Sequence, residues 1–312
     1  MEQAGISIIT PPGIIENSLT TKPKNTTIKI SAGNKFQNAK KKFKSSWLSG
    51  LFKVDHSAKE IAKMAISEVL GTGTLVLLGC MSCIGTFGTI PTGFTVSIAF
   101  GYAVMLCIQC FGHISGAHIN PAVTLGSVVL GNTSLVIAFI YIIAQCIGAV
   151  VGYGLIMTVT SEEFMLPWED VNNPPKNSIC VTQLHANVTL GQGFLVEVMA
   201  TFLLMCVACA IWDKRNSRNT DSVAIRFGFS VAVLCIAFGP YTGCSMNPAR
   251  SLAPAIWNNK WTHHWVYWIG PIIGSFCASI LYRCLFVEKE EAKPVEQPSV
   301  EGLPPENGNV ET

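Results

Sequence analysis

Between about residue 60 and residue 286 the chain alternates long apolar runs with short polar breaks. Six runs lie near 62–86, 94–113, 133–158, 191–212, 223–241 and 263–286. Each is about as long as the roughly 20 residues a helix needs to cross a bilayer. Glycine is frequent inside them, as it is where membrane helices pack closely. Two further apolar stretches, about 120–130 and 247–257, are too short to span. The pattern predicts an all-α membrane protein with six transmembrane helices and two half-helices. Residues 59–286 form that membrane domain, flanked by a polar, lysine-rich tail over 1–58 and an acidic, proline-rich tail over 287–312. Both tails read as largely disordered.

Composition agrees. Hydrophobic residues make up 49% of the 312 and charged residues 13%, against about 25% charged in soluble domains. That excludes an ordinary soluble enzyme, and a net charge of +2 gives no reason to expect nucleic acid as a partner. No basic segment followed by a short apolar core opens the chain, so no cleavable signal peptide is expected. Eleven of the 21 Lys and Arg lie in residues 1–63, and Lys214, Arg215 and Arg218 follow the fourth run. The loop at about 159–190 holds Lys176 beside four acids. The positive-inside rule then places both termini in the cytoplasm, with plasma membrane as the default compartment. Asn187-Val188-Thr189 is an outward-facing sequon and a candidate glycosylation site; Asn25-Thr26-Thr27 falls inside. The lysines Lys40 to Lys44 are a solvated run or a contact for anionic headgroups.

Of the 12 cysteines, all but Cys180 fall in apolar runs or at their ends. Cys80–Cys83, Cys107–Cys110 and Cys206–Cys209 have the spacing of zinc or redox sites. They sit inside predicted helices without a histidine partner, so they read as small packing residues. No metal, cofactor or catalytic constellation is expected. Trp257, Trp261, Trp265, Tyr267 and Trp268 read as an interfacial aromatic belt.

An internal repeat sets the topology. Glu68-Val69-Leu70-Gly71-Thr72 recurs as Glu197-Val198-Met199-Ala200-Thr201, 129 residues later. Ser115 to Ala122 recurs as Thr242 to Ala249, 127 residues later, and both copies end in Asn-Pro-Ala. Repeats of three spans each, about 60–158 and 191–286, run in opposite directions through the bilayer. Asn is a strong helix N-cap, and proline at the first helical position lacks only an N–H that would go unpaired. Each motif therefore starts a half-helix, preceded by irregular backbone that membrane depth allows only around a cavity or inside protein. Two half-helices meeting N-end to N-end imply a pore at the midplane.

The paired motifs Asn120-Pro121-Ala122 and Asn247-Pro248-Ala249, with Arg250 directly after the second, resemble those of aquaporins, the major intrinsic protein family. The resemblance covers about residues 60–286. It implies a six-helix bundle with two half-helices, assembled as a homotetramer with one pore per subunit. It implies a passive channel for water and small neutral solutes. It assigns Asn120 and Asn247 to the pore centre. There their amides and the positive helix ends repel protons and cations. It assigns acceptor carbonyls to Gly116, Ala117, His118, Gly243, Cys244 and Ser245. Glu68 and Glu197 are the lone acids of their runs; as a charge in hydrocarbon costs at least about 2.5–3.5 kcal/mol, each needs a role. The resemblance makes them braces of the pore loops rather than proton relays.

Matching back from each motif, the resemblance gives a selectivity filter of Phe100, Cys235, Cys244 and Arg250. Position 235 is typically histidine in strict water channels. A thiol there removes bulk and hydrogen-bonding groups and leaves room for glycerol or urea, as in the insect glycerol-conducting branch. Ser251 departs the other way, since glycerol-conducting members usually carry Asp after the arginine. Ala255, Tyr267 and Trp268 also match the water-channel pattern. A strict water channel is the alternative. An ion channel or coupled transporter would need midplane carboxylates free to bind an ion, and a junctional protein would need a blocked constriction. Cys235 and Cys244 are candidates for mercurial block.

Overall fold

The computed structural model describes residues 50–85, 91–161 and 179–287. Residues 1–49 and 288–312 of the tails, with Asn25 and the Lys40 to Lys44 cluster, lie outside the described residues. Among the described residues eight α-helices follow in order: α1 (Ala58–Met81), α2 (Gly93–Ser115), α3 (Pro121–Leu130), α4 (Leu135–Val159), α5 (Leu190–Trp212), α6 (Val223–Thr242), α7 (Pro248–Asn258) and α8 (Val266–Leu285). Six are long and apolar enough to cross a membrane; α3 and α7 are the two half-helices.

Capping explains where the helices begin. Ser57 and Glu60 form a reciprocal capping box, so α1 starts at Ala58, before the apolar run does. Thr189 and Gln192 cap α5 the same way, and the Thr92 and Ser134 side chains cap α2 and α4. Each cap satisfies donors that the first helical turn cannot pair, and its loss typically costs about 1 kcal/mol. Thr189 thus closes a helix start, while Asn187 of the same sequon is exposed.

The packing repeats twice. α1 packs along α4 and α5 along α8, while α2 meets α6 between the halves. Small residues set these distances. A Cβ at Gly148 would lie 2.1 Å from the Val69 carbonyl oxygen, and one at Gly274 would lie 2.3 Å from that of Val198. Each half-helix crosses over: α3 packs chiefly on α8 and α7 chiefly on α4. The halves are therefore interlocked, and neither loop is positioned by its own repeat alone. Large apolar side chains such as Ile147, Val151, Leu203, Val233 and Phe276 remain exposed on the outer surface, where lipid or another subunit is the compatible neighbour.

Two expectations are corrected. Cys80 is not a packing thiol: it is joined by a disulfide to Cys180, with Cα atoms 5.3 Å apart. Its apolar run hid that partner, which lies 100 residues away in sequence. Tyr267 does not belong to an interfacial belt. It is fully buried, and its hydroxyl donates to the Thr242 carbonyl at 3.2 Å, whereas Trp257, Trp261 and Trp265 are exposed.

Candidate functional site

Two equivalent loops lead into the half-helices. Gly116 ends α2 at φ 84° and Gly243 ends α6 at φ 76°, a left-handed turn that glycine makes without steric cost. Non-glycine residues at positive φ follow in both loops: Ala117 (46°) and Ile119 (45°), Cys244 (45°) and Met246 (52°). Each costs roughly 1–2 kcal/mol relative to right-handed backbone. A buried carboxylate offsets that cost in each loop.

Glu68 Oε1 accepts from the Ser115 hydroxyl at 2.7 Å and the His118 N–H at 2.9 Å. Its Oε2 accepts from the Ile119 N–H at 2.7 Å and the Gln145 amide at 2.8 Å. Glu197 repeats the arrangement on Thr242 (2.7 Å), Ser245 N–H (2.9 Å) and Met246 N–H (2.9 Å). Both carboxylates are fully buried. Hydrogen bonds to a charged group contribute about 1.5–3 kcal/mol each, enough to hold strained backbone.

Asn120 and Asn247 cap α3 and α7 through their side-chain oxygens, which accept from Ala122 N–H at 2.8 Å and Ala249 N–H at 3.1 Å. Their amide nitrogens cross between the halves. Asn120 Nδ2 donates to the Met246 carbonyl and Asn247 Nδ2 to the Ile119 carbonyl, both at 2.8 Å. A primary amide carries two N–H donors, so each asparagine keeps one beyond this tie. The exchange brings the positive ends of the two half-helices together.

One cavity runs past this point. Its walls come in pairs related by the sequence repeat: Leu75 with Leu204, Phe100 with Phe227, Val104 with Val231, His118 with Ser245, Ile119 with Met246, Asn120 with Asn247, and Val123 with Arg250. Cys235 and Cys244 complete it without a paired wall residue. Phe100, Cys235, Cys244 and Arg250 are thus brought together around one space. His118, Cys244 and Ser245 also line it, whereas Gly116, Ala117 and Gly243 do not touch it. Most of the missed apolar wall was readable in principle: Phe227 and Val231 lie 127 residues after Phe100 and Val104, and Leu204 lies 129 after Leu75.

Arg250 is the one arginine of the lining, and it is nearly buried. Its Nη1 donates to the Cys180 carbonyl at 2.7 Å, and its Cζ lies 4.8 Å from the centre of the Phe100 ring. A cation over an aromatic face is stabilised by about 0.5–2 kcal/mol. The ring packs against Gly79, where an added Cβ would fall 2.3 Å from it. Ser251, the residue after the arginine, is fully buried and bonds the Thr182 and Ser245 hydroxyls at 2.8 and 2.6 Å.

Residues 55–282 match the family model described as major intrinsic protein. The chain belongs to the major intrinsic protein family. Among curated relatives, aquaporin-4 of Mus musculus is 40% identical over 237 residues, covering 74% of this chain and 69% of the relative. Aquaporin-2 of Rattus norvegicus is 35% identical over 245 residues, covering 78% and 86%. The solved structure of the aquaglyceroporin from Plasmodium falciparum aligns with a TM-score of 0.63 at 26% identity, covering 72% of this chain and 96% of that one. As an aquaporin, the chain is a multi-pass membrane protein and a passive channel, not an enzyme.

Proposed function

We propose that this aquaporin conducts water together with small neutral solutes of the size of glycerol and urea, and excludes ions and protons. The observation that carries the reading is the chemistry of the cavity wall. Arg250, Asn120 and Asn247 offer donors, and Phe100, Phe227, Val231 and Cys235 offer apolar surface. A polyol needs both: hydroxyls pair with the donors, while its CH₂ groups meet a surface that costs them no hydrogen bond. Cys235 supplies a thiol where a histidine would add bulk. In this reading Phe100, Cys235, Cys244 and Arg250 form the selectivity filter, and the charge of Arg250 repels cations. The free amide N–H groups of Asn120 and Asn247 orient water so that it cannot relay a proton. Carbonyls of His118, Cys244 and Ser245, the three of the expected acceptors that line the cavity, accept from the passing column, with Glu68 and Glu197 as braces.

The disulfide supports an outward face for the loop that carries Cys180, since disulfides persist in oxidising compartments. That agrees with cytoplasmic termini, and with a plasma-membrane channel assembled as a homotetramer through its exposed apolar flanks. Asn187, exposed on the same side, is the candidate glycan acceptor. Radiolabelled glycerol uptake into oocytes, read beside voltage-clamp current, tests the solute range. Uptake without current supports it; absence of uptake while water permeability is high leaves a strict water channel.

A further inference from the structure

Arg250 is held from outside its own half-helix. Its Nη1 donates to the Cys180 carbonyl oxygen at 2.7 Å, and its Nη2 lies 3.3 Å from the Cys180 sulfur. Cys180 sits at φ 61°, a left-handed conformation that is uphill for any residue with a Cβ. Three ties keep this segment in place. The Tyr153 hydroxyl donates to the Ile179 carbonyl at 2.8 Å, the Thr182 hydroxyl donates to Ser251 at 2.8 Å, and the disulfide joins Cys180 to Cys80 at the end of α1. Of the three, the disulfide acts on the residue that touches the guanidinium.

We infer that the Cys80–Cys180 disulfide is a positioning element of the constriction, and that its reduction lets the Arg250 guanidinium turn into the lumen. A buried guanidinium that loses its acceptors must find others or pay the desolvation of its donors. With Cys180 displaced, the nearest acceptors are water and solute in the cavity it already lines. The lumen then narrows and its water becomes bound. The Tyr153 and Thr182 ties remain, so the effect is partial. Reducing conditions on the outward or lumenal face would keep the channel in this lower state, and an oxidising exterior in the higher one.

A membrane-impermeant trialkylphosphine opens the bond. Its phosphorus lone pair attacks one sulfur and the S–S bond breaks. Water delivers the oxygen of the phosphine oxide, and two protons end on the two thiols. Full-length protein in lipid vesicles is followed by stopped-flow light scattering before reduction, after it, and after reoxidation. Peptide mass analysis verifies the state of both cysteines. Water permeability is expected to fall by about threefold or more and to recover on reoxidation. Cys80→Ser and Cys180→Ser start at the low value and do not respond to the phosphine. Unchanged or raised permeability with the bond demonstrably reduced overturns the inference, as does a non-reducing digest with both residues as free thiols. If the variants fail to fold, the wild-type reduction cycle decides alone. The readout is water, so a channel that passes no glycerol defeats the proposed solute range without touching this result.

Discussion

The two halves of the molecule share a scaffold and differ in what they put on it. In both, a buried glutamate holds backbone N–H groups of a left-handed loop, an asparagine caps a half-helix, and a tyrosine hydroxyl props the helix end before it. Tyr141 bonds the Ser115 carbonyl at 2.8 Å as Tyr267 bonds that of Thr242. Beyond that frame the halves part. The first places Val123, Ala117 and Ile108 where the second places Arg250, Cys244 and Cys235. The first carboxylate also binds Gln145, which reaches on to Thr124 at 2.9 Å. In the second half Ser251 is instead bound by Thr182, next to the loop that holds Arg250. Symmetry therefore builds the passage, and asymmetry sets what passes: the arginine and the thiols of the cavity lining all come from the second half.

The largest effect should come from the shared frame. Glu68→Ala leaves four donors without their acceptor and Glu197→Ala leaves three; breaking a buried charged pairing costs about 3–5 kcal/mol. Thermal unfolding in detergent should show both variants strongly destabilised, Glu68→Ala more so. Equal melting would remove the Gln145 contact as a meaningful difference between the halves. Next in size is Arg250→Val, which gives the second half the residue of the first. A cation current should rise by tenfold or more under voltage clamp, the effect of about 1.4 kcal/mol. A silent current would place charge exclusion at the paired asparagines. Smallest is Cys244→Ser, which should leave basal water flux unchanged and weaken mercurial inhibition. Full inhibition would move the reactive thiol to Cys235.

The architecture was legible because it is written twice. The 127-residue offset between the Asn-Pro-Ala motifs set both half-helices to within a residue. The apolar runs located the six long helices to within a few residues, with ends fixed by polar caps such as Ser57 that hydropathy does not register. What the sequence concealed depends on contacts between distant segments. Cys80 looks like any small residue of a membrane helix until the loop carrying Cys180 folds over it. Tyr267 stands among exposed tryptophans, and only the path of α6 shows that its hydroxyl has an inward partner. The loop glycines were grouped with the pore carbonyls by position alone, yet Gly116 and Gly243 serve as left-handed helix stops away from the cavity.

The central claim is that the second half has opened its constriction at Cys235. It is tested most directly by the ratio of glycerol to water permeability, measured by swelling of vesicles in iso-osmotic glycerol and in hypo-osmotic buffer, for the native protein and for Cys235→His. The account predicts swelling in both media for the native protein. In the variant, glycerol permeability should drop by about tenfold with water little changed, the lower end of what one misfitting group imposes on a close-fitting site. Native vesicles that swell only in hypo-osmotic buffer, or a variant whose glycerol permeability equals the native value, would contradict it.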